Sequence, residues 1–196
     1  MEQTWWDKNL TNPQMIDTFK EWIGTQNAQS KVFIRKYISS KNYTSLIDIG
    51  CGVATEFEGY KSDRYPIEYV GVDSCKTLVR SNIHRGVPMI EANCENIPVK
   101  DNSYDVAFSR HVLEHQPSYK GTISEMIRIA RKEAIHVFFI IPNVIEKINY
   151  NPLDNLYHNT YSRSDIEQFL FQNKKVRSFE WKYISDKEWS LHIFVN

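Results

Sequence analysis

A chain of 196 residues, 41% of them apolar and 24% charged, has the balance of a folded globular protein rather than a disordered or membrane-embedded one. Its 24 Lys and Arg equal its 24 Asp and Glu, so no net field draws it toward nucleic acid or an anionic membrane. The three cysteines, Cys51, Cys75 and Cys94, are odd in number and far apart, which argues against a disulfide framework or a CxxC zinc pair and predicts a reducing, cytoplasmic setting.

Residues 1–8 carry neither the basic start nor the apolar stretch of a secretory signal. The longest apolar run, 137–142, is too short to cross a bilayer. Met15, Ile16, Phe19, Trp22 and Ile23 fall at helical spacing, as do Val32, Phe33, Lys36 and Tyr37. Gly24 punctuates the two predicted helices, and Asn27 and Ser30 are candidate caps. The period then changes to short apolar runs at 45–49, 68–73, 89–92, 104–108 and 134–141, with room for helices at roughly 54–61, 75–85 and 112–131. Strands alternating with helical crossovers predict an α/β chain with a parallel sheet. A helix over 164–172 precedes two runs, 176–184 and 188–195, joined by Ser185-Asp186-Lys187, the pattern of an antiparallel hairpin. The whole, 1–196, reads as one unit: a helical cap over 1–44, a ligand-binding core over 45–142 and a substrate-side segment over 143–196.

The most informative segment is Leu46-Ile47-Asp48-Ile49-Gly50-Cys51-Gly52-Val53-Ala54-Thr55. It places glycines at the carboxyl end of the first strand, where an open α/β sheet binds its ligand. Asp73 closes the second strand, placed to accept hydrogen bonds from both ribose hydroxyls of an adenosine cofactor. NAD is the rival, but the third glycine of its GxGxxG loop would be Thr55. Asp48 just before the loop would repel a pyrophosphate and suits a ligand bearing an ammonium and a sulfonium. The electrostatics favour S-adenosylmethionine.

Asp48-Ile49-Gly50-Cys51-Gly52 resembles motif I of the class I S-adenosylmethionine-dependent methyltransferases, and Val70-Gly71-Val72-Asp73 resembles their acidic second-strand motif. Residues 91–106 are similar to the family's loop after strand three, and Ser109-Arg110-His111-Val112-Leu113-Glu114-His115 to the segment after strand four in its small-molecule branch. The resemblance covers about residues 26–142. It implies a Rossmann-like three-layer sandwich, with a seven-stranded, mostly parallel sheet ending in an antiparallel hairpin. By position, Asp48, Gly50 and Gly52 would hold the methionine part, with Cys51 in the same loop. Asp73 would hold the ribose, Asn93, Cys94 and Glu95 would border the adenine, and Ser74 and Arg110 would complete the cofactor set. Three departures stand out: Asn93 replaces the usual acid, Ala54 the third glycine, and Arg131-Lys132-Glu133-Ala134 the usual Pro-Gly-Gly turn before strand five.

His111 and His115 are four apart and would share a helical face, but a metal needs a third ligand and methyl transfer from a sulfonium needs no ion. His111 is the candidate general base beside the reacting methyl, and His115 reads as structural. Trp5, Trp6, Tyr150, Tyr157, His158 and Tyr161 suggest an aromatic-lined acceptor pocket, with residues 149–161 as a long irregular connection. The Asp/Asn-Pro-Pro-Tyr/Phe and Pro-Cys signatures of DNA methylation are absent. A small-molecule acceptor methylated at O or N leads. Protein or RNA methylation, an NAD-dependent oxidoreductase or epimerase, and an inactive cofactor-binding subunit are the alternatives.

Overall fold

The computed structural model describes residues 5–10, 13–23, 25–153 and 155–196. Gly24 and the side chains of Trp5, Trp22 and Ile23 lie outside that description. Three helices lead the chain: α1 (Trp5–Asn9), α2 (Pro13–Ile23) and α3 (Gln29–Ser40). Then come β1 (Ser45–Ile49), α4 (Thr55–Ser62), β2 (Glu68–Asp73), α5 (Lys76–His84), β3 (Met89–Glu91) and β4 (Tyr104–Arg110). A 3-10 turn (Leu113–His115), α6 (Tyr119–Ile129) and β5 (Ala130–Phe138) follow. The chain continues through a small ribbon, β6 (Tyr150–Asn151) with β7 (Leu156–Tyr157), then α7 (Arg163–Gln172), β8 (Val176–Ser185) and β9 (Glu188–Val195).

The seven-stranded sheet runs β3-β2-β1-β4-β5-β9-β8. Strands β1 to β5 are mutually parallel, while β9 is antiparallel to both β5 and β8. This is the expected Rossmann-like plan with its terminal hairpin. Every residue of β1 is buried, as a strand covered on both faces requires. Its alternation sorts the two faces. Ile47 and Ile49 pack with Ile123, Met126 and Ile127 of α6 and Ile166 and Leu170 of α7. Leu46 packs with Ile34 and Ile38 of α3 and Tyr60 of α4 on the other side. Strand order reverses between β2 and β4 around β1, which opens a crevice at the carboxyl ends of these strands.

Three local expectations need correction. The buried stripe of α3 is Ser30, Lys31, Ile34, Arg35 and Ile38, not the face of Val32, Phe33, Lys36 and Tyr37. Two of its members are cations whose carboxylate and hydroxyl partners lie across the fold, and spacing of apolar residues cannot reveal such a face. The N-cap of α3 is Ala28, with no side-chain cap, rather than Asn27 or Ser30. Where a Pro-Gly-Gly turn was missing, α6 passes at Ile129 straight into β5, so Arg131, Lys132 and Glu133 already belong to the strand. Arg131 and Lys132 both reach the buried Asp105 of β4, at 2.9 and 3.1 Å, which fixes that junction.

Ala54 is buried and left-handed, at φ 52° and ψ 43°. An L residue in that region costs about 1–2 kcal/mol, part of which glycine gives back through its freer unfolded chain. Ala54→Gly is therefore expected to stabilise the protein by roughly 0.5–1 kcal/mol, read as a higher urea midpoint with unchanged slope. Among the described residues no helix is long and apolar enough to cross a membrane.

Candidate active site

One cavity of about 730 Å³ lies at the crevice and takes in Asp48, Gly50, Cys51, Gly52, Asp73, Ser74, Asn93, Cys94, Arg110 and His111. The glycine loop is tied to the second strand, with the N–H groups of Gly50 and Cys51 both donating to the Val72 carbonyl at 2.8 and 3.0 Å. Gly50 sits at φ +71°, and a Cβ there would collide with Val112. Gly52, at φ +56°, donates its N–H to Asp73 Oδ2 at 2.9 Å, and Cys75 N–H donates to Oδ1 at 2.9 Å. Two backbone donors thereby orient Asp73, which lines the cavity.

Asp48 shares the face of Leu46 and is buried. Burial raises its carboxyl to about 7, with the Glu56 charge adding to the rise and the hydrogen bond from Tyr69 opposing it. The Tyr69 hydroxyl donates to Asp48 Oδ2 at 2.6 Å. Lys31 of α3 also lines the cavity and donates to Thr55 Oγ1 at 2.7 Å. Burial, reinforced by Arg110, lowers its ammonium to about 8. Glu56 is buried, and neither carboxylate oxygen has a hydrogen-bond partner among the described residues, although Arg35 Nη1 stands 3.5 Å from Oε2. A desolvated carboxylate without hydrogen bonds is costly, and this one borders the cavity. Cys51 is half-buried beside Met89, and desolvation, reinforced by the Asp48 charge, pushes its thiol well up, so it stays protonated.

After β3 the loop turns on Asn93, whose Oδ1 accepts the Glu95 N–H at 2.8 Å. Ala92, Asn93 and Cys94 line the cavity. Glu95 does not: its side chain lies against Gly121 of α6. Thr122 donates to Cys94 Sγ at 3.2 Å, and Glu125 Oε1 accepts the Ile97 N–H at 2.7 Å, so α6 holds this loop in place.

His111 directly follows β4 with a left-handed backbone, φ 58°, anchored by its N–H to the Val137 carbonyl at 2.9 Å. It is therefore not on a helix with His115. The two rings instead flank Phe139, with centroids 4.9 and 5.4 Å from it. His111 Nε2 lies 2.8 Å from Glu188 Oε1, and Arg110 Nη2 reaches the same oxygen at 3.0 Å. Burial lowers the His111 pKa from its ordinary value, with Arg110 adding to the fall and Glu188 opposing it. His115 Nδ1 is bonded to the Tyr157 carbonyl at 2.8 Å. Its ring meets Trp6 and His158 edge-on, and all three line the cavity with Tyr157 and Gln116. Tyr150 and Tyr161 do not line it: Tyr150 is half-exposed on the β6–β7 ribbon, and Tyr161 is buried.

A model of the methyltransferase domain matches residues 47–138, the stretch that builds the glycine loop, Asp73, the loop after β3 and His111. That segment, 92 of the 196 residues, is similar to the methyltransferase domain. The demethylmenaquinone methyltransferase of Corynebacterium urealyticum is 33% identical over 82 residues, 42% of this chain and 34% of that one. A probable tRNA methyltransferase 9B of Homo sapiens is 29% identical over 106 residues, 53% of this chain and 22% of that one. The matched stretch thus spans about a third or less of these relatives' length. The fold of this chain is shared with a SAM-dependent methyltransferase from Aquifex aeolicus at a TM-score of 0.64 and 13% identity, covering 94% of this chain and 99% of that one.

Lys31 and Glu188 were not legible as site residues, because each is remote in sequence from the motifs it joins; Glu56 directly follows the glycine segment, but nothing in its spacing marks it as a buried carboxylate. The chain also buries a Ser109–His136–Glu114 cluster, with Ser109 Oγ 2.5 Å from His136 Nδ1 and His136 Nε2 3.5 Å from Glu114 Oε2. All three are fully buried, so no substrate reaches them. Glu114 Oε1 accepts the N–H of Phe139 at 2.7 Å and of Ile140 at 3.3 Å, which pins the segment after β4 to the end of β5. This cluster is the support on which His111 and Phe139 face the cavity.

Proposed function

We propose that the chain binds S-adenosylmethionine in this cavity and transfers its methyl group to an oxygen or nitrogen of a small acceptor. The observation that carries the reading is the convergence of Asp48, the Gly50–Gly52 loop and Asp73 on one crevice at the strand switch point. Asp73 would accept from the ribose hydroxyls, while Asn93 and Cys94 would border the adenine with Ser74 nearby. At the other end Asp48 and Glu56 suit an ammonium, and Lys31 and Arg110 suit a carboxylate. Glu56 fits best of all, since a bound cation would supply the partner its buried oxygens lack. Glu95 has no place in this set, given its contact with Gly121.

When bound, the cofactor would supply a methyl group already activated on a sulfonium and keep the carbon–sulfur electron pair as a neutral thioether. His111 receives the acceptor's proton as the acceptor atom attacks the methyl carbon in line. Position and water exclusion supply most of the rate, and the base contributes where the acceptor must lose a proton. The recess lined by Trp6, His115, Phe139, Tyr157 and His158 favours a small planar acceptor. The division into a helical cap (1–44), cofactor core (45–142) and acceptor side (143–196) belongs to this proposal, as does a cytoplasmic setting.

Calorimetry with S-adenosylmethionine is expected to give one-site binding. A mixed panel of phenols, amines, quinols and bulk tRNA is expected to release S-adenosylhomocysteine with a small acceptor. Binding of NADH in place of S-adenosylmethionine would overturn the cofactor reading. Turnover confined to tRNA would overturn the small acceptor. Binding with no turnover on any member would favour an inactive subunit.

A further inference from the structure

We propose that Glu188, at the start of β9, is the positioning residue for His111: it holds the imidazole by an Nε2–H hydrogen bond and so presents a bare Nδ1 to the acceptor. The proposal rests on the reading of His111 as the base, and it adds a residue outside the matched segment 47–138.

Three side chains from three elements meet at one oxygen. Glu188 Oε1 accepts from Ser30 Oγ at 2.8 Å and Arg110 Nη2 at 3.0 Å, and it stands 2.8 Å from His111 Nε2. Burial would raise this carboxyl, but the hydrogen bonds from His111 and Ser30 and the Arg110 charge outweigh it and hold it at about 2. An ionised carboxylate only accepts. The proton between it and the ring therefore sits on Nε2, and a neutral imidazole then carries its lone pair on Nδ1. The ring is kept neutral by burial. Its charged surroundings are Arg110 and Glu114 from its own segment and Glu188 from β9. The ring plane is fixed by Phe139 on one side, and the left-handed backbone at φ 58° aims it inward. Non-glycine residues persist in that conformation where the surrounding structure over-determines them, and such residues cluster at active sites. Ser30 and Arg110 in turn hold Glu188, so the base is oriented by a brace running from α3 through β4 to β9.

The test uses the full chain labelled with ¹⁵N-histidine, with His111 signals assigned by their loss in His111→Asn. Long-range proton–nitrogen spectra are recorded for wild type, Glu188→Gln and Glu188→Ala. Wild type is expected to show a protonated Nε2 and a bare Nδ1. Glu188→Gln keeps that tautomer, because its amide oxygen still accepts. Glu188→Ala gives a tautomer mixture and moves the His111 titration midpoint down, since a stabilising partner of the charged ring is gone. With any acceptor turned over in the panel, Glu188→Ala lowers kcat by about tenfold or more and shifts the acid limb of the pH profile downward, and Glu188→Gln restores most of the rate. A protonated Nδ1 in wild type, or an Ala variant with wild-type tautomer and titration, overturns the assignment even if the variants differ in melting temperature. Calorimetry with S-adenosylmethionine on the same samples fails independently of the tautomer, and so separates an error about Glu188 from an error about the methyltransferase reading.

Discussion

Asp73→Ala is expected to weaken S-adenosylmethionine binding by about 10²- to 10⁴-fold, the loss of two hydrogen bonds to a charged group at roughly 1.5–3 kcal/mol each. The carboxylate has two duties in the structure. It lines the cavity where the ribose hydroxyls are proposed to sit, and it binds the N–H groups of Gly52 and Cys75 at 2.9 Å. Removing it also frees the glycine loop that the cofactor must lie against. Asp73→Asn is expected to be nearly as damaging, because its amide nitrogen would face one of those two N–H donors. Calorimetry decides the matter, with circular dichroism to show that both variants remain folded. Binding of the Ala variant within threefold of wild type would remove Asp73 from the site.

The second large effect belongs to Asp48. Its carboxyl, raised from 3.8 to about 7 by burial first of all, is ionised only in part at neutral pH. A bound cation stabilises the charged form, so cofactor affinity is expected to fall as pH drops below 7, by up to tenfold for each pH step of one. Binding near pH 6 should release a proton, visible as a dependence of the calorimetric heat on the buffer's ionisation enthalpy. Stability of the free protein has the opposite sign. A folded pKa above the unfolded one means that the native state holds its proton longer, so the penalty builds as pH rises from about 4 to 7 and is complete above 7. Asp48→Asn keeps an oxygen for the Tyr69 hydroxyl and carries no charge. It is expected to raise the stability of the free protein at pH 8 by at most about 4 kcal/mol while abolishing the pH dependence of cofactor binding and weakening it. A variant no more stable than wild type, yet binding with the same pH profile, would sink this account.

The parts of the site that were legible in the sequence are those made by consecutive residues. The apolar runs, the glycines after β1 and the acid closing β2 lie in short segments whose local geometry fixes their direction, and they place Asp48, Gly50, Gly52 and Asp73 together. The illegible parts are contacts closed over long sequence separations. Lys31 and Arg35 read as surface charges on α3 until Thr55, Glu56 and Asp63 are brought across to them. Glu188 reads as a hairpin residue until the antiparallel register of β5 and β9 carries it to the end of β4. Glu95 shows the reverse: adjacency to Asn93 and Cys94 suggested a shared role, but a tight turn at Asn93 sends it to α6.

The position of β9 bears on how the protein comes into being. Residues 188–195 enter between β5 and β8, in the interior of the sheet, although they are made after both. Until they arrive, the edge of β5 is open to wrong partners, and its pairing must wait for contacts distant along the chain. A chain emerging from a ribosome can form the glycine loop and Asp73 well before Glu188 exists. On the proposed function, the residues assigned to the methyl donor are therefore made before the one assigned to orient the base.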